Sequence, residues 1–168
     1  MNEIDDLVKE MEHEAIATRR MLSLVPDEKF QWKPHEKSMT LQQLARHLAE
    51  VTSWVSMTLT TSELDFANNI QRKEVTNSKE IIEYFDASLK ESLTQLKKSK
   101  QENLWEQWTM RKGPQVLYSA KKKEVIRMAF NQTVHHRAQL GVYLRLLNIP
   151  LPGSYGPTAD EKSFDSLR

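Results

Sequence analysis

The chain has no cysteine. Its absence excludes disulfides, thiolate metal sites, a cysteine nucleophile and redox chemistry by the protein's own side chains. It also fits a reducing cytoplasm, where the sequence places the protein. Glycine is scarce, at 4 of 168 residues, and no strong alternating strand pattern stands out; both point to an all-α chain. Charge of one sign is lacking too. The 24 basic and 23 acidic residues leave a net charge of +1, so nothing global steers the protein to nucleic acid. No stretch approaches the ~18 apolar residues of a membrane span. The opening MNEIDDLVKEMEHEA is acidic and amphipathic, without the basic start and apolar run of a signal peptide. A Gly-rich phosphate loop and a nucleophile elbow are also missing. Neither nucleic acid nor membrane is expected as a partner.

What is present is helical periodicity. At 168 residues the chain reads as one domain, 1–168, able to bury roughly 70% of its extended surface. Ile4, Leu7, Met11, Ala15, Thr18, Met21, Leu22 and Val25 recur at helical spacing up to Pro26. A polar connector follows, pinned by Phe30 and Trp32. The second helix opens with Thr40 three residues before Gln43, a capping-box pattern. It carries Leu41, Leu44, Leu48, Val51, Val55 and Leu59 as one stripe. The third starts at Asn77 or Ser78 and runs through Ile81, Ile82, Phe85, Leu89, Leu93 and Leu96 to the lysines of LKKSK, which suit a C-terminal dipole end. From 101 to 120 the periodicity fails, and a short hairpin or folded loop is predicted, with Trp105 and Trp108 as anchors. The fourth helix spans about Lys122 to Leu147, and the basic AKKKEVIR at its start reads as a solvated first turn. An extended tail follows, rich in Pro and Gly, docked in part through Tyr155 and Phe164. Four runs with one apolar stripe each make a four-helix bundle with an irregular insert between helices three and four.

Bundles build ligand and metal sites from polar side chains that point inward. His47 lies three residues after Leu44 and four before Val51, on the stripe of helix two, with Glu50 and Trp54 on the same side. On helix four the stripe reads Val125, Met128, Ala129, Gln132, His136, Leu140, Tyr143 and Leu147. Gln132 and His136 are four apart and emerge one above the other. Gln139 continues that line and His135 leans to one side. Two readings stay open. Inward histidines on facing helices can hold a divalent ion with an open position, or they can form a satisfied buried polar network. His13, among acids on a surface helix, and His35, in the connector, read as solvated.

The stretch VPDEKFQWKPHEKSMTLQQLARHLAEV and, later, NQTVHHRAQLGVYLRLLNIPLPGSYGPTADE resemble the DinB family. The HHR-x-QL and YGPTADE segments are the most specific parts. The resemblance implies a four-helix bundle, commonly a homodimer, with nickel or zinc on three histidines near one end. It also implies activity as a thiol-dependent S-transferase, using a low-molecular-weight thiol, or as a metal-dependent hydrolase. The family's first histidine falls on His47 and its third on His136. Its second falls on Gln132, which is not a histidine; the amide oxygen of Gln132 is favoured as the third ligand, with His135 as the alternative. Glu50 or Tyr143 is then the candidate proton acceptor or orienting group. The departure at Gln132 keeps two other readings in view: a metal-free bundle that binds a small ligand or partner, and a structural stress-response dimer without catalysis.

Overall fold

The computed structural model describes residues 3–68 and 73–162; Phe164 lies outside them. Helix α1 (Glu3–Leu22) buries the whole predicted stripe from Ile4 to Leu22, and Val25 is buried beyond its end. Glu3, Asp5 and Asp6 occupy its first turn and Arg19 and Arg20 its last, each suited to the helix dipole. Phe30 is buried in the connector, and Trp32 meets Tyr143 edge-on at 5.6 Å. Helix α2 (Leu41–Val51) begins in a complete capping box, with Thr40 Oγ1 accepting from the Gln43 N–H and Gln43 Oε1 accepting from the Thr40 N–H.

The predicted second helix is two helices. After Val51 the chain breaks at Thr52–Ser53 and resumes as α3 (Trp54–Thr60). A partner on the next helix stabilises the break. Ser92 Oγ donates to the Thr52 carbonyl at 2.8 Å and accepts from the Ser56 N–H at 3.1 Å, pairing backbone groups that would otherwise be buried alone. Helix α4 (Ser78–Lys98) is capped by Asn77, whose side chain accepts from the Glu80 N–H, and ends in Lys97 and Lys98. Helix α5 (Lys122–Leu146) completes the bundle. It is covered on two sides: of the predicted stripe it buries Val125, Ala129, His136 and Leu140, with Met128, Gln132, Tyr143 and Leu147 half-buried, and it also buries Ile126, Phe130, Thr133, Arg137, Gly141 and Leu144.

The chain is not purely α-helical. Strands β1 (Glu63–Asp65), β2 (Gln107–Lys112) and β3 (Gln115–Lys121) form a sheet in the order β1-β2-β3, with β1 parallel and β3 antiparallel to β2. The predicted hairpin is β2–β3, turning at Gly113, whose φ of 56° is cheap for glycine. Asp65 Oδ1 holds that turn to β1 by accepting from the Gly113 and Ala67 N–H groups, both at 2.8 Å. Trp108 anchors the sheet as predicted: it is fully buried, and its indole N–H donates to Thr61 Oγ1. Trp105 does not; it is exposed, with the Lys123 ammonium 3.5 Å from its ring centre. The basic turn also departs from expectation, because Lys122 is buried and its ammonium donates to the Leu59 carbonyl and pairs with Glu106 at 2.8 Å.

The core divides along the bundle. One end gathers Leu22, Leu41, Leu44, Leu48, Phe85 and Leu140. The other gathers Leu7, Met11, Val55, Leu104, Ile126 and Phe130. Among the described residues no helix is long and apolar enough to cross a membrane.

Candidate functional site

Helices α2 and α5 face each other and bring the two inward histidines into contact. The rings of His47 and His136 lie 4.6 Å apart, centre to centre, at 73°. His136 is buried and His47 half-buried. Each ring is held at Nδ1 by an oxygen three residues further along its own helix. His47 Nδ1 donates to Glu50 Oε2 at 3.3 Å, and His136 Nδ1 to Gln139 Oε1 at 2.8 Å. A carboxylate can only accept, and the amide oxygen likewise, so Nδ1 carries the proton in both rings. In a neutral ring so held the lone pair is on Nε2, which in both histidines has no hydrogen-bond partner among the described residues. Burial pushes the His136 imidazolium below the usual histidine range, the Gln139 hydrogen bond opposes this, and His47 and His135 reinforce it. His136 is therefore neutral at pH 7.

The other predicted residues fall around this pair. Gln132 lies half-buried one turn before His136, with no hydrogen-bond partner among the described residues. His135 is exposed, its ring edge-on to that of His136 at 4.9 Å. Glu50 touches both His47 and the Arg46 guanidinium, at 3.3 Å in each case. Tyr143 is not brought to the histidines. It lies two turns beyond His136, about 10 Å along the axis, and its hydroxyl donates to the Met39 carbonyl. His13 and His35 are exposed, as expected.

Two imidazoles presenting free lone pairs, each backed by an oxygen acceptor, match the way proteins orient metal-binding histidines. A third strong donor is missing: among the described residues no group of three His, Cys, Asp or Glu side chains is placed to hold a metal. Gln132 is the residue on hand for that position. Beside His47 a cleft of about 710 Å³ opens between α2 and residues 73–76. It is large enough for a small substrate.

The DinB family model matches residues 1–163. The chain belongs to the DinB family. Two solved DinB-like proteins share its fold. The one from Bacillus subtilis is 16% identical, with a TM-score of 0.70 over 89% of this chain and 96% of its own. The one from Bacillus cereus is 18% identical, with a TM-score of 0.70 over 91% and 99%. No curated protein matches the sequence.

Membership gives the family-specific segments a structural meaning. Arg137, the arginine of HHR, points away from the histidines into the gap between α5 and α1 and is almost fully buried. Its NH1 pairs with Glu14 at 2.7 Å and donates to Thr18 Oγ1, and its NH2 donates to the Tyr155 hydroxyl at 2.6 Å. The tail of this DinB protein is docked through Tyr155, as predicted, and also through Asp160 and Glu161. Asp160 pairs with Arg145, and Glu161 accepts from Arg20 and from the Gly153 N–H. Sequence reasoning missed Arg137. Its place in a quoted segment was visible, but it lies one position off the apolar stripe.

Proposed function

We propose that this DinB protein is a divalent-metal-dependent enzyme of the thiol S-transferase or hydrolase kind, using nickel or zinc. His47 and His136 would hold the ion, with the amide oxygen of Gln132 in the third position. The observation that carries this reading is the pair of Nδ1-anchored imidazoles in ring contact, one of which, His47, lines an open cleft. When bound, the ion supplies Lewis acidity, which brings the pKa of a bound water or small thiol toward neutrality. Glu50 orients His47 and is the nearby carboxylate able to take a proton; Gln139 orients His136. Burial of His136 keeps it a neutral donor at physiological pH.

Gln132 favours a second reading, a metal-free bundle that binds a small ligand through the same cleft, because a neutral amide is a poorer donor than imidazole. Metal content separates the two. Protein purified without an affinity tag and incubated with nickel and zinc should retain near-stoichiometric metal by elemental mass spectrometry. That metal should be lost in His47→Ala and in His136→Ala. Wild-type protein that stays metal-free would overturn the enzymatic reading and leave the ligand-binding one. The homodimer belongs to the same proposal and is checked by sedimentation equilibrium.

A further inference from the structure

The cleft beside His47 has a chemical character of its own. Gln43, Arg46, His47 and Glu50 follow one another at helical spacing along one face of α2. Gln43, Arg46 and His47 line the cleft, and Lys73 and Glu74 line its opposite wall. The donors on the α2 wall are only partly used. The Arg46 side chain is 14% exposed, yet among the described residues it makes one bond, from NH1 to Glu50. Its remaining N–H groups have no partner among the described residues. Gln43 spends its oxygen on the capping box, and its amide N–H₂ is likewise unpartnered among the described residues. A guanidinium so far withdrawn from water and so little hydrogen-bonded stands ready for an acceptor with two oxygens in a plane.

We propose that this cleft is a carboxylate-binding subsite, in which Arg46 and Gln43 hold the carboxylate of a small substrate whose reacting end lies at His47. The charges narrow the ligand. Arg46 is already half-neutralised by Glu50, and Lys73 is matched by Glu74 on the same wall. The cleft therefore suits a single carboxylate and disfavours a polyphosphate, whose charge those two acids would repel. Lys73, 5.0 Å from the centre of the Tyr84 ring, adds a long-range attraction without committing its donors. The position of the reacting end rests on the function proposed above; the carboxylate preference does not.

The test uses full-length protein treated with a chelator and two probes that differ at one group, N-acetylcysteine and its C-terminal amide. Their binding is followed by calorimetry and by amide chemical shifts. N-Acetylcysteine should bind about tenfold or more tightly than the amide, the scale of a charge-assisted pair in a half-buried site. Its shifts should centre on residues 42–47. Arg46→Gln should remove the preference, but it also strips Glu50 of a partner. Gln43→Glu is the cleaner variant: it keeps the acceptor that completes the capping box and turns the cleft-facing donor into a second negative charge. It should abolish the preference at unchanged melting temperature. Equal affinities, no binding of N-acetylcysteine, or a preference that survives Gln43→Glu would each overturn the subsite. Because the protein is metal-free throughout, the preference can hold while metal binding fails, or fail while metal binding holds.

Discussion

Arg137→Met tests what the HHR segment contributes. In the wild type the guanidinium is 2% exposed and pairs with Glu14, itself 14% exposed. It also donates to the Glu14 carbonyl, Thr18 Oγ1 and the Tyr155 hydroxyl. Methionine replaces most of the volume and none of the donors. It leaves a carboxylate between α1 and α5 with only the Tyr155 hydroxyl donating to it. Breaking a buried pair from one side costs about 3–5 kcal/mol, and the residual exposure of Glu14 places this case near the lower figure. For a domain of this size that is a fall of about 6–12 °C in melting temperature. It is read by calorimetry, with limited proteolysis of the tail after Leu147 as a second signal. Adding Glu14→Gln removes the stranded charge, so the double variant should regain stability over Arg137→Met alone. A melting temperature within about 2 °C of wild type would refute the reasoning, as would a double variant whose loss equals the sum of the singles.

Ser92→Ala should destabilise by about 1–4 kcal/mol, because the Ser56 N–H and Thr52 carbonyl lose their partner and the better helix propensity of alanine offsets only about half a kcal/mol; an unchanged unfolding midpoint in urea would show that the α2–α3 break does not depend on it. Gln132→His should tighten nickel and zinc binding by more than about tenfold, a scale that even outer-shell changes reach; competition with a chromophoric chelator measures it, and an unchanged affinity would mean that position 132 does not face the ion. Asp160 is held below its ordinary 3.8, first by Arg145, and Glu161 below its ordinary 4.5, first by the Gly153 N–H and then by Arg20. Depressed folded-state values stabilise above those ordinary values and are lost as pH falls through the lowered ones, so the tail should become protease-sensitive below about pH 4 and stay protected at pH 6; equal sensitivity at both would discount these two contacts.

The helices were legible where burial and capping act within one segment. The α1 stripe and the Thr40–Gln43 box are local events, and the structure holds both as read. The break at Thr52–Ser53 was hidden because its cause is remote. Both residues keep near-helical dihedrals, −59°/−33° and −74°/−11°, so the apolar spacing runs through the break undisturbed. What changes is the hydrogen bonding, and the group that accommodates it is Ser92 on another helix. The sheet escaped for a related reason. Five successive residues of β3, from Gln115 to Ser119, are exposed, so no inside–outside alternation marks it, and the three-residue β1 exists only through parallel pairing with a strand more than forty residues away. Lys122 misled because a lysine in a basic run reads as solvated unless the distant Leu59 carbonyl and Glu106 are known.

The site was legible to a greater depth than the stripe alone conveys. On α2 the order is His47-x-x-Glu50, and on α5 it is His136-x-x-Gln139. Three residues on a helix place the acceptor over the ring, so each histidine carries the group that fixes its own tautomer. Here both rings donate from Nδ1 to acceptors on their own helices rather than to each other. The two acceptors are also unequal. Glu50 brings a negative charge to His47, whereas Gln139 brings none to His136, which is the more buried of the two. The spacing thus sets two helix-anchored imidazoles against each other with one carboxylate at the edge, the arrangement on which the metal proposal rests.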